Sequence, residues 1–559
     1  MGDSENAPGA SGASDRRPPV DGFFDHAALD RDRILPRLVA RRAREDPDRP
    51  FVVVVDGPML TYRQVHEDGL RWAGALRGIG VAPERTVATM LPISPASVTT
   101  WLGISWLRAW EAALNTDYRG AMLTHALVSS GAETLIIDER FLDRLREIAT
   151  DLPGLRRVIV TGTGEVPELP FGSDVEVLTD TALLSRSVAV EELEGPEPWD
   201  ISTIVFTSGT TGPSKGVMMP WAQLLANFQN PLWERFGPDD HRYSPFPMFH
   251  ISGKGSVYGA ALDGAQVVLR ERWSLTDFWS DIARYRCTFT WLVGAIPSLL
   301  YGQPETPNDA DTPLRYGAMT PMIEQYRDFE RRFGMRVCTV YNMSEMSMPV
   351  IADWDVPNHR TCGRARPGYQ VRLVDEHGLP VGPGEFGEFV VRSDTPWTMN
   401  VGYLGMPAQT AAAWRHGWFH TGDGGTCDEE GNFYFVDRIK HAIRRRGENI
   451  SSMEVEREVL AHPDVAECAA IGVPSALGEE DVMVFVVPAP AASVEPEGLS
   501  DFLDLRMPRF MRPRYVQVID ELPKTVTARV RKAELRALVD IGGATWDRET
   551  PARVSAANS

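Results

Sequence analysis

Cysteine is scarce in this 559-residue chain, with 5 in all. Cys287, Cys338, Cys362, Cys427 and Cys468 lie far apart, odd in number and without a CxxC spacing. That argues against a disulfide framework and a structural zinc site, and it suits a reducing cytoplasm. Positive charge is also short: Lys+Arg is 57 against Asp+Glu 77, a net charge of −20. General nucleic-acid binding needs a basic face, so no nucleic-acid partner is expected. No apolar run approaches the length of a membrane-spanning helix. The N-terminus lacks a basic segment followed by an apolar one, which argues against a secretory signal. Its Gly, Ser, Asp and Pro content makes residues 1–22 an expected disordered leader. The hydrophobic share of 43% and the charged share of 24% exclude disorder, collagen and coiled coil as the overall class.

Strand-like and helix-like patterns alternate in what is present. Phe51–Val55, Val87–Leu91, Leu135–Ile137 and Val158–Val160 are short apolar runs. Thr61 and Gln64 have the spacing of a capping box, and Val65, Trp72, Ala73 and Leu76 then recur at helical intervals. Met122, Leu123, Ala126 and Leu127 form another such face. The alternation predicts an α/β fold with mixed and largely parallel sheets. Past residue 438 a cationic run, Arg438 to Arg446, leads into a helix around Met453–Leu460 and strands at Val465–Ile471 and Val482–Val487. The expected organisation is a large multi-subdomain region over 23–437 and a small mobile α+β domain over 438–540. A loosely ordered tail is expected over 541–559.

The strongest chemical signal is Ile204-Val-Phe-Thr-Ser-Gly-Thr-Thr-Gly-Pro-Ser-Lys-Gly216. An apolar strand enters a loop of glycines and hydroxyls that ends in a lysine. Gly209, Gly212 and Gly216 let backbone N–H groups approach phosphate oxygens. Thr207, Ser208, Thr210 and Thr211 add hydroxyl donors, and Lys215 adds a point charge. The spacing is not that of a Walker A loop.

This segment resembles the phosphate loop of the adenylate-forming superfamily, which comprises acyl-CoA synthetases, peptide-synthetase adenylation domains and firefly luciferase. Further matches follow in that family's order. Tyr341-Asn-Met-Ser-Glu345 is similar to its Tyr-Gly-x-Thr-Glu, and Gly417–Asp423 to its Gly-Trp-x-x-Thr-Gly-Asp. Asp437-Arg438-x-Lys440 and Arg446–Ile450 resemble its interdomain hinge region, and Pro523-Lys-Thr525 opens its last motif. The resemblance spans about residues 25–540 and is nearest the carnitine/crotonobetaine-CoA ligase branch.

The resemblance implies two steps. A carboxylate first attacks the α-phosphate of ATP, giving acyl-AMP and pyrophosphate; a thiol, usually coenzyme A, then displaces AMP. It implies Glu345 as the Mg²⁺-associated acid, and Thr211 and Lys215 beside the phosphates. It implies Asp423 on the ribose hydroxyls, Arg438 on ribose or phosphate, Tyr341 on adenine and Gly317-Ala318 along the adenine slot. His250, Trp291 and Met319 are implied as acid-pocket residues, and Lys440 as the hinge between two reaction poses. Arg444, Arg445 and Arg446 would either meet the CoA phosphates or form a solvated cationic face.

Two positions depart from the family pattern. The motif Pro-Lys-Thr-x-Thr-Gly-Lys ends here in Ala528-Arg529, so the lysine expected on the carboxylate and α-phosphate is an arginine. Arginine keeps the charge and can grip two oxygens, but it is bulkier; Lys524 and Lys532 are nearby substitutes out of alignment. Asn342 replaces the usual glycine and brings a polar side chain toward the adenylate. The expected function is an ATP-dependent acyl- or aryl-CoA ligase. The alternatives are a diazotase using nitrite and an aromatic amine, or a carrier-protein loader.

Overall fold

The computed structural model describes residues 26–549 except 188–192, 208–213, 230, 295, 439–442, 446–447, 451, 476–479, 505, 508, 510, 525–529 and 542. The expected leader over 1–22 lies outside the described residues.

Two large sheets make up the N-terminal region. The first runs Glu176–Thr179, Arg157–Thr161, Thr134–Asp138, Thr86–Met90, Trp110–Ala113, Ile201–Thr207, Lys215–Pro220. All its pairings are parallel except the last. Its central strands are apolar on both faces because helices cover both. The helix Tyr62–Gly78 starts where the sequence predicts it, with Thr61 and Gln64 forming a complete capping box.

The second sheet has a parallel half containing Pro50–Val54, Val267–Leu269, His241–Ser244, Cys287–Val293, Tyr316–Thr320 and Arg336–Tyr341. Beyond Arg336–Tyr341 it continues through antiparallel strands to Phe433–Arg438, Trp418–Cys427, Gly387–Ser393 and Tyr369–Val374. The mixed and largely parallel α/β class read from the sequence is therefore the observed one.

Two ties join the sheets. Lys254, from the helix Ile251–Asp263, is fully buried and pairs with Glu111 on the strand Trp110–Ala113. Thr89 and Thr203 also donate to Glu111, and the Trp101 ring lies 4.0 Å from the ammonium. The second tie is a segment after Asn400 that lies along the edge strand Lys215–Pro220. Met218 N–H donates to Gly402 (3.0 Å) and Leu404 N–H to Gly216 (2.8 Å). A Cβ on Gly216 would sit 2.9 Å from the Ile204 side chain on the paired strand, so a side chain there would crowd its own sheet.

The C-terminal region has its own core of Ile443, Ile450, Val455, Val484 and Leu499 under a four-stranded sheet. Its order is Val465–Pro474, Glu480–Pro488, Tyr515–Val518, Trp546–Asp547. The last strand corrects the expectation of a loose tail from 541, at least for residues 543–549. Trp546 and Asp547 pair with Val516 and Tyr515, and the polar neighbours are spent on Arg514–Asp547 and Arg548–Asp504 ion pairs. Among the described residues no helix is long and apolar enough to cross a membrane.

Candidate active site

The strand Ile201–Thr207 delivers the glycine-rich loop at its carboxyl end, where open α/β sheets place ligands. Residues 208–213 lie outside the described residues, and with them the placement of Ser208, Gly209, Thr210, Thr211 and Gly212. The two ends of the loop are described. Thr207 pairs in register with Lys215, and its hydroxyl reaches the Lys215 carbonyl at 3.5 Å.

Lys215 is brought to Glu345 through one residue. Its ammonium lies 4.6 Å from the centre of the Tyr403 ring, and the Tyr403 hydroxyl donates to the Glu345 carboxylate at 3.0 Å. The backbone carbonyl of Glu345 accepts from both the N–H and the side-chain amide of Asn400, at 3.0 and 2.9 Å. Glu345 is buried. Tyr403 and Asn400 escaped the sequence reading. Their signal was the dipeptide Gly402-Tyr403, too short to single out without the strand it lies against.

A second group forms on the antiparallel half. Asp423 is buried and stands directly across from Arg438, the last residue of its strand. The Tyr341 hydroxyl donates to Asp423 at 2.8 Å. Burial pushes that hydroxyl well above the ordinary tyrosine value, so it stays a donor at neutral pH. One face of the Tyr341 ring stacks on Phe389 at 4.8 Å.

Asn342 does not point a spare amide at a substrate as the sequence suggested. Its amide nitrogen donates to Asn227 (3.2 Å), and its oxygen accepts from Met348 N–H (2.9 Å). Gln223, one turn earlier on the helix Trp221–Phe228, donates to the carbonyls of Ser344 and Met346. Amide side chains therefore sew that helix to the loop carrying Glu345.

The three pocket candidates separate. His250 sits just before the helix Ile251–Asp263, its carbonyl accepting from Gly253 and Lys254 N–H groups. Trp291 is opposite Ala318 in register and shares its face, packed edge-on against Trp233 and Phe289. Met319 lies on the opposite face, in the core with Leu292, Phe329 and Phe333. Strand alternation dictates this, since neighbours along a strand point to opposite faces. Gly317 faces the same side as Met319, where a Cβ would meet Met335 at 2.7 Å. Ala318 alone of that pair faces Trp291 and Cys338.

In the C-terminal region the hinge candidate Lys440 and Arg529 lie outside the described residues. Lys524 and Lys532, the out-of-alignment substitutes, are ion-paired to Glu467 and Glu456. Arg445 is neither a phosphate ligand nor part of a solvated face. It is buried, pairs with Asp481 at 3.0 Å and donates to the Arg512 carbonyl.

No cluster of three or more metal-ligating side chains is found among the described residues. Mg²⁺ needs no such cage. One hard carboxylate plus substrate phosphates satisfies it, and the Glu345 carboxylate is of that type.

A lysine joined through one tyrosine ring to a buried carboxylate, with a second buried carboxylate paired in register with an arginine, is an arrangement suited to a nucleotide-using enzyme. The model of the family described as AMP-binding enzyme matches residues 39–404, and that of the AMP-binding enzyme C-terminal domain matches 454–529. The chain belongs to the AMP-binding enzyme family. It is 30% identical over 516 residues to a sulfoacetate–CoA ligase of Cupriavidus necator, covering 90% of this chain and 97% of that one. A crotonobetaine/carnitine–CoA ligase of Escherichia coli is 29% identical over 485 residues, covering 85% and 93%. The fold matches that of ATP-bound MatB from Rhodopseudomonas palustris with a TM-score of 0.78 at 24% identity, covering 90% and 98%. It also matches the anthranilate CoA ligase AuaEII in complex with anthranoyl-AMP, with a TM-score of 0.78 at 23% identity, covering 90% and 96%.

Proposed function

We propose that the chain is an ATP-dependent acid–thiol ligase acting on a small carboxylic acid with coenzyme A. In the first half-reaction a carboxylate oxygen bonds to the α-phosphorus of ATP and the bond to pyrophosphate breaks. In the second the CoA thiol, losing its proton, bonds to the acyl carbon and AMP leaves. The observation that carries the assignment of residues is the Lys215–Tyr403–Glu345 chain at the mouth of the glycine-rich loop. One cation and one hard anion joined through a single ring support a role beside a triphosphate and its metal. Glu345 would hold Mg²⁺, whose role when bound is to neutralise phosphate charge.

Asp423, oriented by Tyr341, accepts from the ribose hydroxyls, and Arg438 lies beside it. Arg529 takes the place of the lysine that grips the carboxylate and α-phosphate. His250 borders the acid and Trp291 forms the wall under Ala318. Trp291 is held by Trp233 and Phe289 beside Ala318, and an indole fixed there favours a short acid. The sparse cysteines suit a cytoplasmic enzyme. The named relatives, sulfoacetate–CoA and crotonobetaine/carnitine–CoA ligases, lend nothing to the diazotase and carrier-loading alternatives.

The test is pyrophosphate release from Mg-ATP with sulfoacetate, crotonobetaine, carnitine, benzoate, anthranilate and a long-chain fatty acid, each with and without CoA. Release with a short acid, and an acyl-CoA product only with CoA, is the expected outcome. Release confined to the fatty acid would overturn the short-acid reading, and silence across the panel would overturn the Arg529 substitution.

A further inference from the structure

Arg366 sits in the short turn between the strands Thr361–Ala365 and Tyr369–Val374, outside the motifs on which the sequence resemblance rests. It is buried, and its guanidinium lies 4.4 Å from the centre of the Tyr369 ring. Its side chain donates to backbone carbonyls: Nη2 to Ala226 at 2.9 Å and to Ser347 at 2.7 Å, and Nη1 to Gln229 at 3.4 Å. Ala226 and Gln229 form the C-terminal end of the helix Trp221–Phe228, where the helix dipole favours a cation. Ser347 belongs to the loop that carries Glu345. One arginine therefore ties that loop to the helix end. It also holds the loop a second time, because its own N–H donates to the Pro349 carbonyl at 3.0 Å. The two holds fall on either side of Met348, which has a φ of 46°. That is left-handed backbone, disfavoured for a residue with a long side chain. The Met348 N–H is itself held by the Asn342 side chain at 2.9 Å. Strain of this kind persists only where the surroundings over-determine it, and here Arg366 and Asn342 do so.

We propose that Arg366 is a positioning residue for Glu345, holding the strained turn at Met348 so that the carboxylate keeps the place from which it would hold Mg²⁺. The inference rests on reading Glu345 as the Mg²⁺-associated acid. Arginine suits the task because its planar guanidinium offers five donors and reaches several carbonyls at once, whereas an ammonium is a point charge. Upstream of Met348 the loop has other holds. Gln223 donates to the Ser344 and Met346 carbonyls, and Asn400 to that of Glu345. Losing Arg366 is therefore expected to blur the aim of Glu345 and not to erase the site. The pair of Asp423 and Tyr341, read as the ribose side, shares none of these partners. A defect in Arg366 is thus expected to fall on the metal-dependent part of nucleotide binding and to spare the rest.

The experiment is calorimetric titration of the full chain with ATP in Mg²⁺, with ATP in EDTA and with AMP. The variants are Arg366→Met, Arg366→Lys and Glu345→Gln, with melting temperature recorded for each. The quantity read is the factor by which Mg²⁺ tightens ATP binding. Arg366→Met is expected to cut that factor about tenfold, the scale of one lost hydrogen bond to a charged group, and to leave AMP and metal-free ATP binding unchanged. Arg366→Lys keeps the charge and can still donate to Ser347, so its loss is expected to be smaller, about threefold. It carries the test if Arg366→Met fails to fold. Equal weakening of all three titrations, or no change in any, would overturn the proposal, since a merely structural arginine would act on every ligand alike. A wild-type protein in which Mg²⁺ adds nothing, or a Glu345→Gln variant that keeps the whole Mg²⁺ effect, would instead overturn the Glu345 assignment beneath it.

Discussion

Tyr403 contacts both Lys215 and Glu345, the two opposite charges proposed to meet a triphosphate. Tyr403→Phe keeps a ring under Lys215 and removes the hydrogen bond to Glu345. A hydrogen bond to a charged group is worth about 1.5–3 kcal/mol, so pyrophosphate release is expected to slow by about one to two orders of magnitude. Tyr403→Leu also loses the cation–π contact, about 0.5–1 kcal/mol more at such a site. A Phe variant with wild-type kcat would remove Tyr403 from the site. Asp423→Ala is expected to weaken AMP and ATP alike, because the ribose is common to both; unchanged nucleotide affinity by titration would refute the ribose role. The cysteines give a pH prediction. Burial raises all five thiols, Cys362 to about 11. A raised value means less thiolate at a given pH, so activity is expected to survive maleimide at pH 7.5 and to become sensitive only as pH climbs toward 10. Rapid inactivation at pH 7.5 would contradict this.

At the level of elements, the helix Ile251–Asp263 is locked to the first sheet by Lys254 and Glu111. Glu111→Leu leaves a buried cation unpaired and is expected to cost about 3–5 kcal/mol in urea denaturation. The double variant Glu111→Leu with Lys254→Met is expected to regain more than half of it; failure to regain any would mean the pair is not the source of the loss. Much of this level was legible from the sequence. The capping box at Thr61 and Gln64 and the strand before the loop both fall where local pattern placed them, because each is written in consecutive residues. What stayed hidden depends on chain segments far apart. The contact between Tyr403 and Lys215 spans 188 residues of sequence, as their numbers show. The commitment of Asn342 to Asn227 was illegible for the same reason. Met319 was named through the family resemblance, and strand alternation sends it to the face opposite Trp291 and Ala318.

At the level of the molecule, the strand Phe433–Arg438 ends the large region, and its Asp437 receives the N–H and hydroxyl of Ser452 at the start of the helix Ser452–Leu460. Lys532 closes the same network through Ser452 and Glu456. On the proposed reading the C-terminal region, which has its own core, acts as a lid that rotates between two poses. Lys440→Pro is accordingly expected to spare pyrophosphate release and to abolish acyl-CoA formation; equal loss of both would reject the hinge assignment. The order of the site along the chain has a consequence for biosynthesis. Its parts come from residues 207–215, 341–345, 400–403 and 423–438, so they leave the ribosome in separate instalments. On the proposed assignment a nascent chain halted after Lys215 lacks its acid, and one halted before Asp423 still lacks a ribose carboxylate. Arg529 comes later still, so on the proposed assignment the competence to activate an acid arrives only when the C-terminal region is finished as well.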